Sequence, residues 1–589
     1  ESGKKQKPKR AAPEPEEREP ETRDGAKIRQ ALMGLLSGAA DHLEADLGNL
    51  RRVVAAIPVR LVSVHHGRAR YRDERLDGAA SGEVSDFNAR IERSAKDGMF
   101  TIALDFDVPG RKVDNRISGR VDPKTGDTHL SVHLDRLPLA PYAALAPAAL
   151  TIHGDSAIHD TRLLVRYDAA GRKIGIDGKA AVRRIDFAAP RVSRHLIADL
   201  SASVTGKVQL DLARELLSFD EGELAIGKLR VRADGAISKY RSAPVFDLHI
   251  KVPTVDCQDT VDALVPPFAP MLTGMQCSGT MSFRVELSLD TADMASLKFE
   301  FDPVLRNIKV RSLGRYIDFD VLNMPFEHHA RQVDDTLYTF IIGPGSERWV
   351  ELEQISEYLS KVVFTTEDGT FHTHNGFSLN QIRRAMVANL QRGRFVRGAS
   401  TISQQLIKNL FFVEREKTLS RKVQEAVITW EMERTLEKEQ LLALYFNIIE
   451  FGPHIYGIRA AANHYFNREP KDLTLLQCLW LGSIVPGPRM WYHHFTEGKI
   501  SENRRKHLCW IADVMVKREK ITAGERARLG DCQVVFGGAK DGSEAPNSVD
   551  PGVGLGHEEA WMGEPGATPP AVPPPSKLDA PGVDDDDQP

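Results

Sequence analysis

The chain has 589 residues, a formal net charge of -4 and five cysteines. This length exceeds what one hydrophobic core organises, so several domains are expected. The near balance of charge excludes a global attraction to nucleic acid, and the few cysteines exclude a disulfide scaffold. No apolar run reaches the roughly 18 residues that a membrane-spanning helix needs. The chain begins with Glu1 rather than Met, from which we expect a preceding segment that carries a signal peptide or a membrane anchor.

The two ends of the chain have compositions typical of disordered segments. Residues 1–25 are charged and rich in proline, and residues 537–589 are rich in Gly, Pro and Asp. Such segments bury too little apolar surface to offset the entropy lost on ordering. We therefore predict a disordered charged linker at the start and a disordered tail at the end.

Residues 26–342 are predicted to form a β-rich domain. Apolar residues alternate with polar ones in several segments, which is typical of strands with one buried face and one wet face. Examples are Phe100, Ile102, Leu104, Phe106 and Val108, and later Met281, Phe283, Val285, Leu287 and Leu289. Turn signals such as Asp122–Gly126 separate the strands. The pattern predicts antiparallel strands in one long curved sheet.

Residues 343–536 change to a helical period. Leu379, Ile382 and Met386 recur every three or four residues, and Ser378 precedes them at the start of a capping-box pattern. Further helices are expected to begin near Ser400, Thr418 and Glu437. The predicted fold class is therefore α+β and multidomain, with a compact, mainly α domain after the sheet.

Two polar stretches of the helical part suggest chemistry. Glu367–Gly376 reads EDGTFHTHNG, and Gly398–Asn409 reads GASTISQQLIKN. In the second stretch, Ser400, Gln404 and Lys408 are four residues apart and would line one helical face. Ser400 is also expected to cap that helix, which would leave backbone N–H groups free to bind an anion.

A cationic segment follows these stretches. Arg421, Lys422 and Glu425 fall within about one helical turn. Arg421 and Lys422, together with Lys408 and Lys417, would supply the positive charge that binds a phosphate or pyrophosphate. The alternative for each helix taken alone is an ordinary solvated face.

Glu367 and Glu425 are expected to lie in different environments. Glu367 follows an apolar run and has few cationic neighbours in the sequence, whereas Glu425 is surrounded by them. Unequal surroundings are typical of carboxylate pairs in which one member transfers a proton and the other organises charge. Paired acidic residues are also the general requirement of glycosyl chemistry.

These segments together resemble the motifs of the peptidoglycan glycosyltransferases of family 51. Glu367–Gly376 fits the first motif, E-D-x-x-F-x-x-H-x-G, and Gly398–Asn409 fits the second, G-[GA]-S-T-I-[ST]-Q-Q-x-x-K-N. RKVQE at Arg421–Glu425 matches the third motif, and LALYFNIIEFG at Leu442–Gly452 resembles the fourth. The resemblance covers roughly residues 340–495.

The resemblance implies a lysozyme-like α fold with a membrane-associated jaw. It implies polymerisation of lipid II into β-1,4 glycan strands, with release of undecaprenyl pyrophosphate in one inverting displacement. Glu367 would be the general base that deprotonates the 4-hydroxyl of the acceptor sugar, and Glu425 would assist departure of the pyrophosphate. The implied substrate-binding residues are Asp368, Phe371, His374, Gly376, Ser400, Thr401, Gln404, Gln405, Lys408, Asn409, Lys417, Arg421, Lys422 and Asn447.

Three positions depart from the family pattern. Ala443 stands where the fourth motif usually has Glu, Gln477 replaces a Glu common in the closing region, and Lys417 takes the place of an arginine. They keep open an alternative function, a catalytically weak or inactive scaffold that binds lipid-linked glycan. A lytic transglycosylase is a poorer alternative, because it needs no pyrophosphate-binding cations. Transpeptidase motifs do not occur in the required order, so a monofunctional enzyme is expected.

The strands of residues 26–342 resemble the AsmA-like family of bacterial envelope proteins. The segment that carries this resemblance most clearly is VPPFAPMLTGMQCSGTMSFRVELSLD at Val265–Asp290. It implies an elongated periplasmic sheet whose apolar concave face guides lipid. The alternative is a spacer sheet with an ordinary core, since one-sided apolar alternation is what any half-buried sheet shows.

The family 51 resemblance also implies cofactors, partners and location. No cofactor is required, but Mg²⁺ or Mn²⁺ is expected to stimulate the reaction at the pyrophosphate, and no protein metal site is predicted. The expected partners are lipid II, the growing glycan strand, membrane lipid and other cell-wall synthesis proteins, without nucleic acid. The expected location is the periplasmic face of the bacterial inner membrane, with the anchor in a segment absent from this chain.

The implied periplasm is oxidising, which bears on the cysteines. Cys257 and Cys277 flank an apolar loop and are predicted to form a disulfide. Cys509 and Cys532 are a second candidate pair. Cys478, in an apolar helical segment, is expected to be a free thiol in the core.

Overall fold

The computed structural model describes residues 23–73, 80–108, 111–140, 150–189, 192–264, 268–332, 336–392, 398–412 and 418–537. Almost all of the predicted linker and tail lies outside these described residues. Within them, an antiparallel sheet region is followed by a helical region, which confirms the predicted two-part α+β layout.

The sheet region begins with a helix, α1 (Arg23–Ala55), that sequence analysis does not predict. Leu36, Ala40, Leu43 and Leu47 recur at spacings of three and four residues, so they share one face of this helix. The apolar face of the helix packs against apolar side chains at the ends of the strands, and this packing stabilises the helix.

The strands build one sheet with mostly sequential neighbours. They are β1 (Leu61–Asp73), β2 (Ala80–Arg93), β3 (Phe100–Val108), β4 (Arg111–Val121), β5 (Thr128–Leu134), β6 (Leu137–Pro138), β7 (Leu150–Ile158), β8 (Thr161–Asp168), β9 (Lys173–Ala189), β10 (Ser193–Asp211), β11 (Leu216–Ile226), β12 (Leu229–Ser238), β13 (Val245–Asp256), β14 (Met275–Asp290) and β15 (Asp293–Leu313). Helix α2 (Cys257–Leu264) lies between β13 and β14. The strand order is β1-β2-β3-β4-β5-β8-β9-β10-β11-β12-β13-β14-β15, with β7 pairing both β6 and β9.

The alternating apolar residues of the last strands share one face of the sheet. The antiparallel register places Ile250 opposite Val285, and Val285 opposite Phe301. Side chains directly opposite one another in neighbouring strands project to the same side. Phe301 is still 37% exposed. The described residues therefore cover this apolar face only in part.

Helix α1 lies along the hairpin turns at one end of the sheet. Glu44 pairs with Arg172 in the β8–β9 turn at 2.8 Å, and Asp41 pairs with Arg241 in the β12–β13 turn at 2.6 Å. The apolar face of α1 packs on side chains near the same turns, which are Tyr167, Ile174, Leu210 and Tyr240. Helix α1 thus ties together strands that are several positions apart in the sheet.

The helical region follows a short hairpin. Its elements are β16 (Phe326–Arg331), β17 (Leu337–Ile342), α3 (Glu357–Thr366), α4 (Leu379–Arg392), α5 (Ile402–Phe411), α6 (Leu419–Thr435), α7 (Lys438–Ile448), β18 (Glu450–Gly452), β19 (Ile455–Tyr456), α8 (Ile458–Phe466), α9 (Leu475–Ile484), α10 (His493–Thr496), α11 (Glu502–Lys517) and α12 (Ala523–Arg528). Helices α7 and α9 are apolar on nearly all sides and are buried, with Tyr445 and Trp480 fully enclosed. The helices that carry the polar motifs pack around them.

One continuous core joins the end of the sheet to the helices. Ile308 and Leu313 of β15 belong to the same buried cluster as α5 and α6, and the rings of Phe319 and Phe411 are 6.2 Å apart. No helix among the described residues is long and apolar enough to cross a membrane.

Two disulfides are present in the structure. One joins Cys257 to Cys277 and the other joins Cys509 to Cys532. Cys478 is a buried free thiol, and burial raises its pKa to about 12. Cys478 is therefore kept protonated and protected from reagents that attack thiolates.

Candidate active site

Glu367 lies at the C-terminal end of α3, where its backbone N–H donates to the carbonyl of Val363 at 2.8 Å. The residue is partly exposed, and its Oε2 accepts a hydrogen bond from Nε2 of Gln405 at 2.8 Å. Burial among protein atoms raises the pKa of Glu367, while the hydrogen bond from Gln405 and the charge of Lys408 lower it. Glu367 is thus a reachable carboxylate whose proton affinity exceeds that of an ordinary glutamate.

A buried tyrosine fixes the orientation of Gln405. The hydroxyl of Tyr445 donates to Oε1 of Gln405 at 3.1 Å, so the amide NH₂ of Gln405 faces Glu367. Tyr445 is fully enclosed, and burial raises its pKa well above the usual range. It therefore stays a neutral donor, and the chain Tyr445–Gln405–Glu367 presents one oriented hydrogen bond to the carboxylate.

Asp368 is a buried hub that joins the first motif to the start of α5. Its carboxylate accepts from Nε2 of His374 at 2.9 Å, from Nε2 of Gln381 at 3.0 Å and from the backbone N–H of Ile402 at 3.2 Å. All three partners are protein groups, and the side chain of Asp368 is fully buried. In this structure Asp368 holds the segment that follows Glu367 rather than facing solvent.

The hydrogen bonds of His374 define its tautomer. Its Nδ1 accepts from the backbone N–H of Gly376 at 3.1 Å, so the proton lies on Nε2, which faces Asp368. Gly376 has φ of +87°, and a Cβ there would come within 2.9 Å of Thr429. Asp368, His374 and Gly376 of the first motif therefore form one local structure, a glycine-dependent turn held by a histidine–aspartate pair.

The N-terminus of α5 is capped by Thr401. The prediction from the sequence that Ser400 caps this helix is therefore wrong. The side chain of Thr401 accepts from the backbone N–H of Gln404, and the side chain of Gln404 accepts from the N–H of Thr401, which completes a capping box. Thr401 also donates to the carbonyl of Gly376 at 2.7 Å. Gln404 is consequently turned back onto its own helix, and the predicted face of Ser400, Gln404 and Lys408 is not one exposed row.

Helix α6 carries a compact group of charges. Nη1 of Arg421 lies 2.5 Å from Oε2 of Glu425, and Nζ of Lys422 lies 2.6 Å from its Oε1. Glu425 is fully buried, whereas Lys422 is partly exposed and also donates to the hydroxyl of Ser400 at 2.9 Å. The contact to Ser400 brings the cations of α6 beside the residues that precede α5.

The remaining predicted substrate-binding residues have varied surroundings. Phe371 is buried and stacks on Phe364 with ring centroids 5.7 Å apart. Asn447 is buried and binds both backbone groups of Val350, at 2.9 Å through Oδ1 and 2.8 Å through Nδ2. Lys408 is exposed and Asn409 is half-buried. Lys417 lies outside the described residues.

Two of the departures from the family pattern have a local structural account. Gln477 occupies the third position of α9 and forms a capping box with Thr474, a role that Glu and Gln fill equally well. Ala443 lines a cavity of about 240 Å³ that Glu351, Glu439 and Gln440 also border. A longer side chain at position 443 would extend toward this cavity.

Three further polar residues support the site and are missed by sequence analysis. Ser403 of α5 donates to the buried carboxylate of Glu433 on α6, and Nζ of Lys438 lies 2.7 Å from the same carboxylate. Lys438 also donates to the carbonyl of His374 at 2.8 Å. The only signal in the sequence is that Ser403 is a polar residue on an otherwise apolar face of α5. That signal does not reveal its partner Glu433, which lies thirty residues away.

The described residues contain no group of three or more His, Cys, Asp or Glu side chains that could hold a metal ion. What they do contain is two distinct carboxylate environments linked by α5. On one side is a reachable acid with a raised pKa; on the other is a carboxylate bonded to two cations. The first can accept a proton, and the second can place positive charge beside an anionic group.

Known proteins share the helical part of this chain. The Transglycosylase family profile matches residues 335–516. A biosynthetic peptidoglycan transglycosylase of Acinetobacter baylyi is 38% identical over 168 residues, which are 28% of this chain and 75% of the relative. One of Nitrosomonas eutropha is 43% identical over 158 residues, 27% of this chain and 64% of the relative. One of Acinetobacter baumannii is 37% identical over 193 residues, 32% of this chain and 85% of the relative.

Proposed function

The chain belongs to the peptidoglycan glycosyltransferases of family 51, and from this premise we propose how its residues polymerise lipid II into glycan strands. It is a peptidoglycan glycosyltransferase whose relatives' names fit a monofunctional enzyme. The observation that carries the proposed mechanism is the unequal environment of Glu367 and Glu425. The reaction needs one proton acceptor and one site of positive charge, and these two residues supply them.

Glu367 is the proposed general base. The 4-hydroxyl oxygen of the acceptor sugar attacks the anomeric carbon of the donor, the bond from that carbon to the pyrophosphate breaks, and the hydroxyl proton passes to Glu367. A pKa raised by burial suits this step, because a base works best when its pKa approaches the working pH. Gln405 holds one carboxylate oxygen, which leaves the other free for the acceptor. One displacement inverts the α-linked donor to a β-1,4 link.

Arg421 and Lys422 are proposed to stabilise the departing pyrophosphate. The leaving group carries away the electron pair of the broken bond, so its negative charge grows in the transition state and favours preorganised cations. Glu425 holds both cations at 2.5 and 2.6 Å and keeps them in place before the donor binds. Mg²⁺ or Mn²⁺ would add charge through the phosphate oxygens, and no cofactor is otherwise required.

Helix α5 is proposed to connect the two sides. Ser400 accepts a hydrogen bond from Lys422 in the structure, and we propose that it contacts the donor beside its phosphates. Lys408, whose charge lowers the pKa of Glu367, is proposed to contact the donor from the other end of the helix. Asp368, His374, Gly376, Thr401 and Gln404 act indirectly in this proposal, because their hydrogen bonds shape the cleft.

The proposed location is the periplasmic face of the bacterial inner membrane. The support is the chemistry of the substrate: lipid II keeps its long apolar tail in a bilayer while its sugars react outside. Membrane lipid and other cell-wall synthesis proteins are proposed partners on the same ground. The finer labels, a lysozyme-like fold for the helices and an AsmA-like role in guiding lipid for the sheet, are proposals too, and the partly covered apolar face around Phe301 supports the second.

The alternative function is a scaffold that binds lipid-linked glycan without polymerising it. Purified full-length protein in detergent or vesicles would be incubated with labelled lipid II, and glycan length followed by gel electrophoresis. Polymer formation that is lost in Glu367→Gln but kept in Glu353→Gln, the same change at an exposed glutamate, supports the enzyme. Binding of lipid II by the parent without any polymer supports the scaffold.

A further inference from the structure

Helix α6 is held by the sheet region as well as by its helical neighbours. The backbone N–H of Ser420 donates to the carbonyl of Val192, just before β10, at 2.8 Å. The hydroxyl of Ser420 donates to the carbonyl of Phe268, and the backbone N–H of Met271 donates to Oε1 of Gln424 at 2.8 Å. These three contacts reach the first turns of α6 from two separate segments, each more than 150 residues before the α6 residue that it contacts.

These contacts are buried and mutually supporting. Ser420 is 4% exposed and Gln424 is 3% exposed. Nε2 of Gln424 donates to the carbonyl of Ser420 at 3.2 Å and to its hydroxyl at 3.1 Å. Oxygen and nitrogen of the Gln424 amide are therefore both used, and the orientation of the side chain is determined. A buried network of this kind is specific, because any partner left unpaired would lose its hydrogen bonds without regaining water.

Residues 268–272, which we call the bracket, are themselves firmly placed. Ala269 and Leu272 lie in the core that the sheet shares with the helices, at 1% and 4% exposure. The disulfide between Cys257 and Cys277 closes the segment that contains the bracket. The bracket thus shares its buried contacts with Cys257, directly after β13, and with Met275 and Cys277 of β14, and we infer that its position depends on the sheet.

The residues held by the bracket alternate along α6 with the charged residues of the site. Ser420 and Gln424 immediately precede Arg421 and Glu425, so each bracket contact lies about 100° around the helix from a charged residue. A small rotation or shift of α6 would therefore move Arg421, Lys422 and Glu425 together. The contact from Lys422 to Ser400 at 2.9 Å would change with them.

We propose that the bracket is a positioning element for catalysis, and that Ser420 and Gln424 are positioning residues through which the sheet region sets the placement of Arg421, Lys422 and Glu425. The proposal rests on the proposed roles of those three residues at the pyrophosphate. It assigns the sheet region a direct part in glycosyl transfer, in addition to any part in binding lipid. It also makes the Cys257–Cys277 disulfide relevant to activity.

The test uses the full-length protein and the variant Gln424→Met, which keeps the volume of the side chain but loses its hydrogen bonds. We expect kcat for lipid II polymerisation to fall about 10- to 100-fold, the size of effect that a misplaced catalytic group produces. The pH at which the Glu367-dependent activity rises should stay unchanged, because Glu367 is held by α3 and α5. Ser420→Ala should likewise lower kcat and leave the pH dependence unchanged. Because it removes only one oxygen atom, it provides the test if Gln424→Met does not fold.

Thr435→Ala is the matched control. Thr435 lies at the far end of α6 and donates to the carbonyl of Glu431 at 2.9 Å, without touching the bracket. It should keep the parental kcat. A double variant, Cys257→Ala with Cys277→Ala, should lose activity in the same direction as Gln424→Met while its folded fraction, measured by circular dichroism at the assay temperature, stays parental.

The outcomes separate the inference from the mechanism that it rests on. Parental kcat in folded Ser420→Ala and Gln424→Met, together with a lower melting temperature, would show a structural role only and overturn the inference. If Glu367→Gln is inactive in the same series, the proposed mechanism still stands. If Glu367→Gln is fully active, the mechanism itself fails, whatever the bracket variants do.

Discussion

The two sides of the active site hold their carboxylates in opposite ways. Glu367 receives one neutral hydrogen bond, from Gln405, and burial raises its pKa. Glu425 is fully buried and receives charged hydrogen bonds from Arg421 and Lys422. One carboxylate is prepared to change its protonation state, and the other is bonded as part of a fixed charged group. The hydrogen-bond partners of Glu367 and Glu425, and not the residue type, therefore distinguish the roles of these two glutamates.

The elements behind the two sides differ as well. The Glu367 side is built wholly within the helical region, from α3, α5 and Tyr445 of α7. The Glu425 side depends on α6, which the sheet region contacts at Ser420 and Gln424. Substitutions that separate proton transfer from placement of the cations are therefore the sharpest way to test the comparison.

The largest effect is expected from Glu367→Gln. The amide keeps the shape and the contact with Gln405 but cannot accept the proton, so kcat should fall by roughly 10²–10⁴ with little change in donor binding. Glycan formation from lipid II and the affinity of a pyrophosphate-mimicking inhibitor would be measured together. Polymerisation at the parental rate would contradict the role of Glu367 and favour the scaffold function.

A smaller effect with a different signature is expected from Glu425→Gln. Neither cation keeps a charged acceptor, because the amide oxygen of Gln is neutral and its NH₂ group cannot accept. A hydrogen bond to a charged group is worth about 1.5–3 kcal/mol, so activity should fall about 10- to 100-fold. Unlike Glu367→Gln, this variant should bind pyrophosphate-mimicking inhibitors more weakly and respond differently to added Mg²⁺ or Mn²⁺. Titrations of inhibitor and divalent ion check this. Unchanged values for both would remove the distinction between the two sides.

Lys408→Ala should affect both sides modestly. The positive charge of Lys408 lowers the pKa of Glu367, so its removal should raise that pKa further and shift the acidic limb of activity to higher pH. Lys408 is exposed, so the electrostatic loss near that limb should be about two- to fivefold in rate. A pH profile of kcat/KM, alongside inhibitor affinity, measures both consequences. An unmoved acidic limb would show that Lys408 acts on the donor alone.

The smallest effect concerns stability. Because the pKa of Glu367 is raised on folding, the unfolded chain releases this proton at lower pH, and stability is lost as the pH rises through the folded pKa. Glu367→Gln removes that loss, so the variant should be more stable than the parent at neutral pH. The advantage should vanish below the ordinary glutamate pKa of 4.5. Denaturant titrations at pH 7 and pH 4 test the sign.

The sequence by itself determined the elements whose signals are local. Period-two alternation identified strands such as β3 and β14, and helical spacing identified α4, because these patterns depend only on which residues share a face. The ordered motifs identified the family and brought Glu367 and Glu425 forward as the two carboxylates. Helix α1 was missed even though its apolar residues have helical spacing, because its partners are the turns of distant hairpins.

Only the tertiary structure decided how those residues are partnered. The capping of α5 by Thr401, the Tyr445–Gln405–Glu367 chain and the bracket on α6 all join segments that are far apart in the chain or choose between adjacent candidates. Hydrogen-bond direction and burial depend on which groups meet in space, and a linear pattern does not specify that. The pKa of Glu367 is raised for the same reason: burial by the folded chain outweighs the lowering effects of Gln405 and Lys408, two residues of α5 that lie about 40 positions away in the sequence.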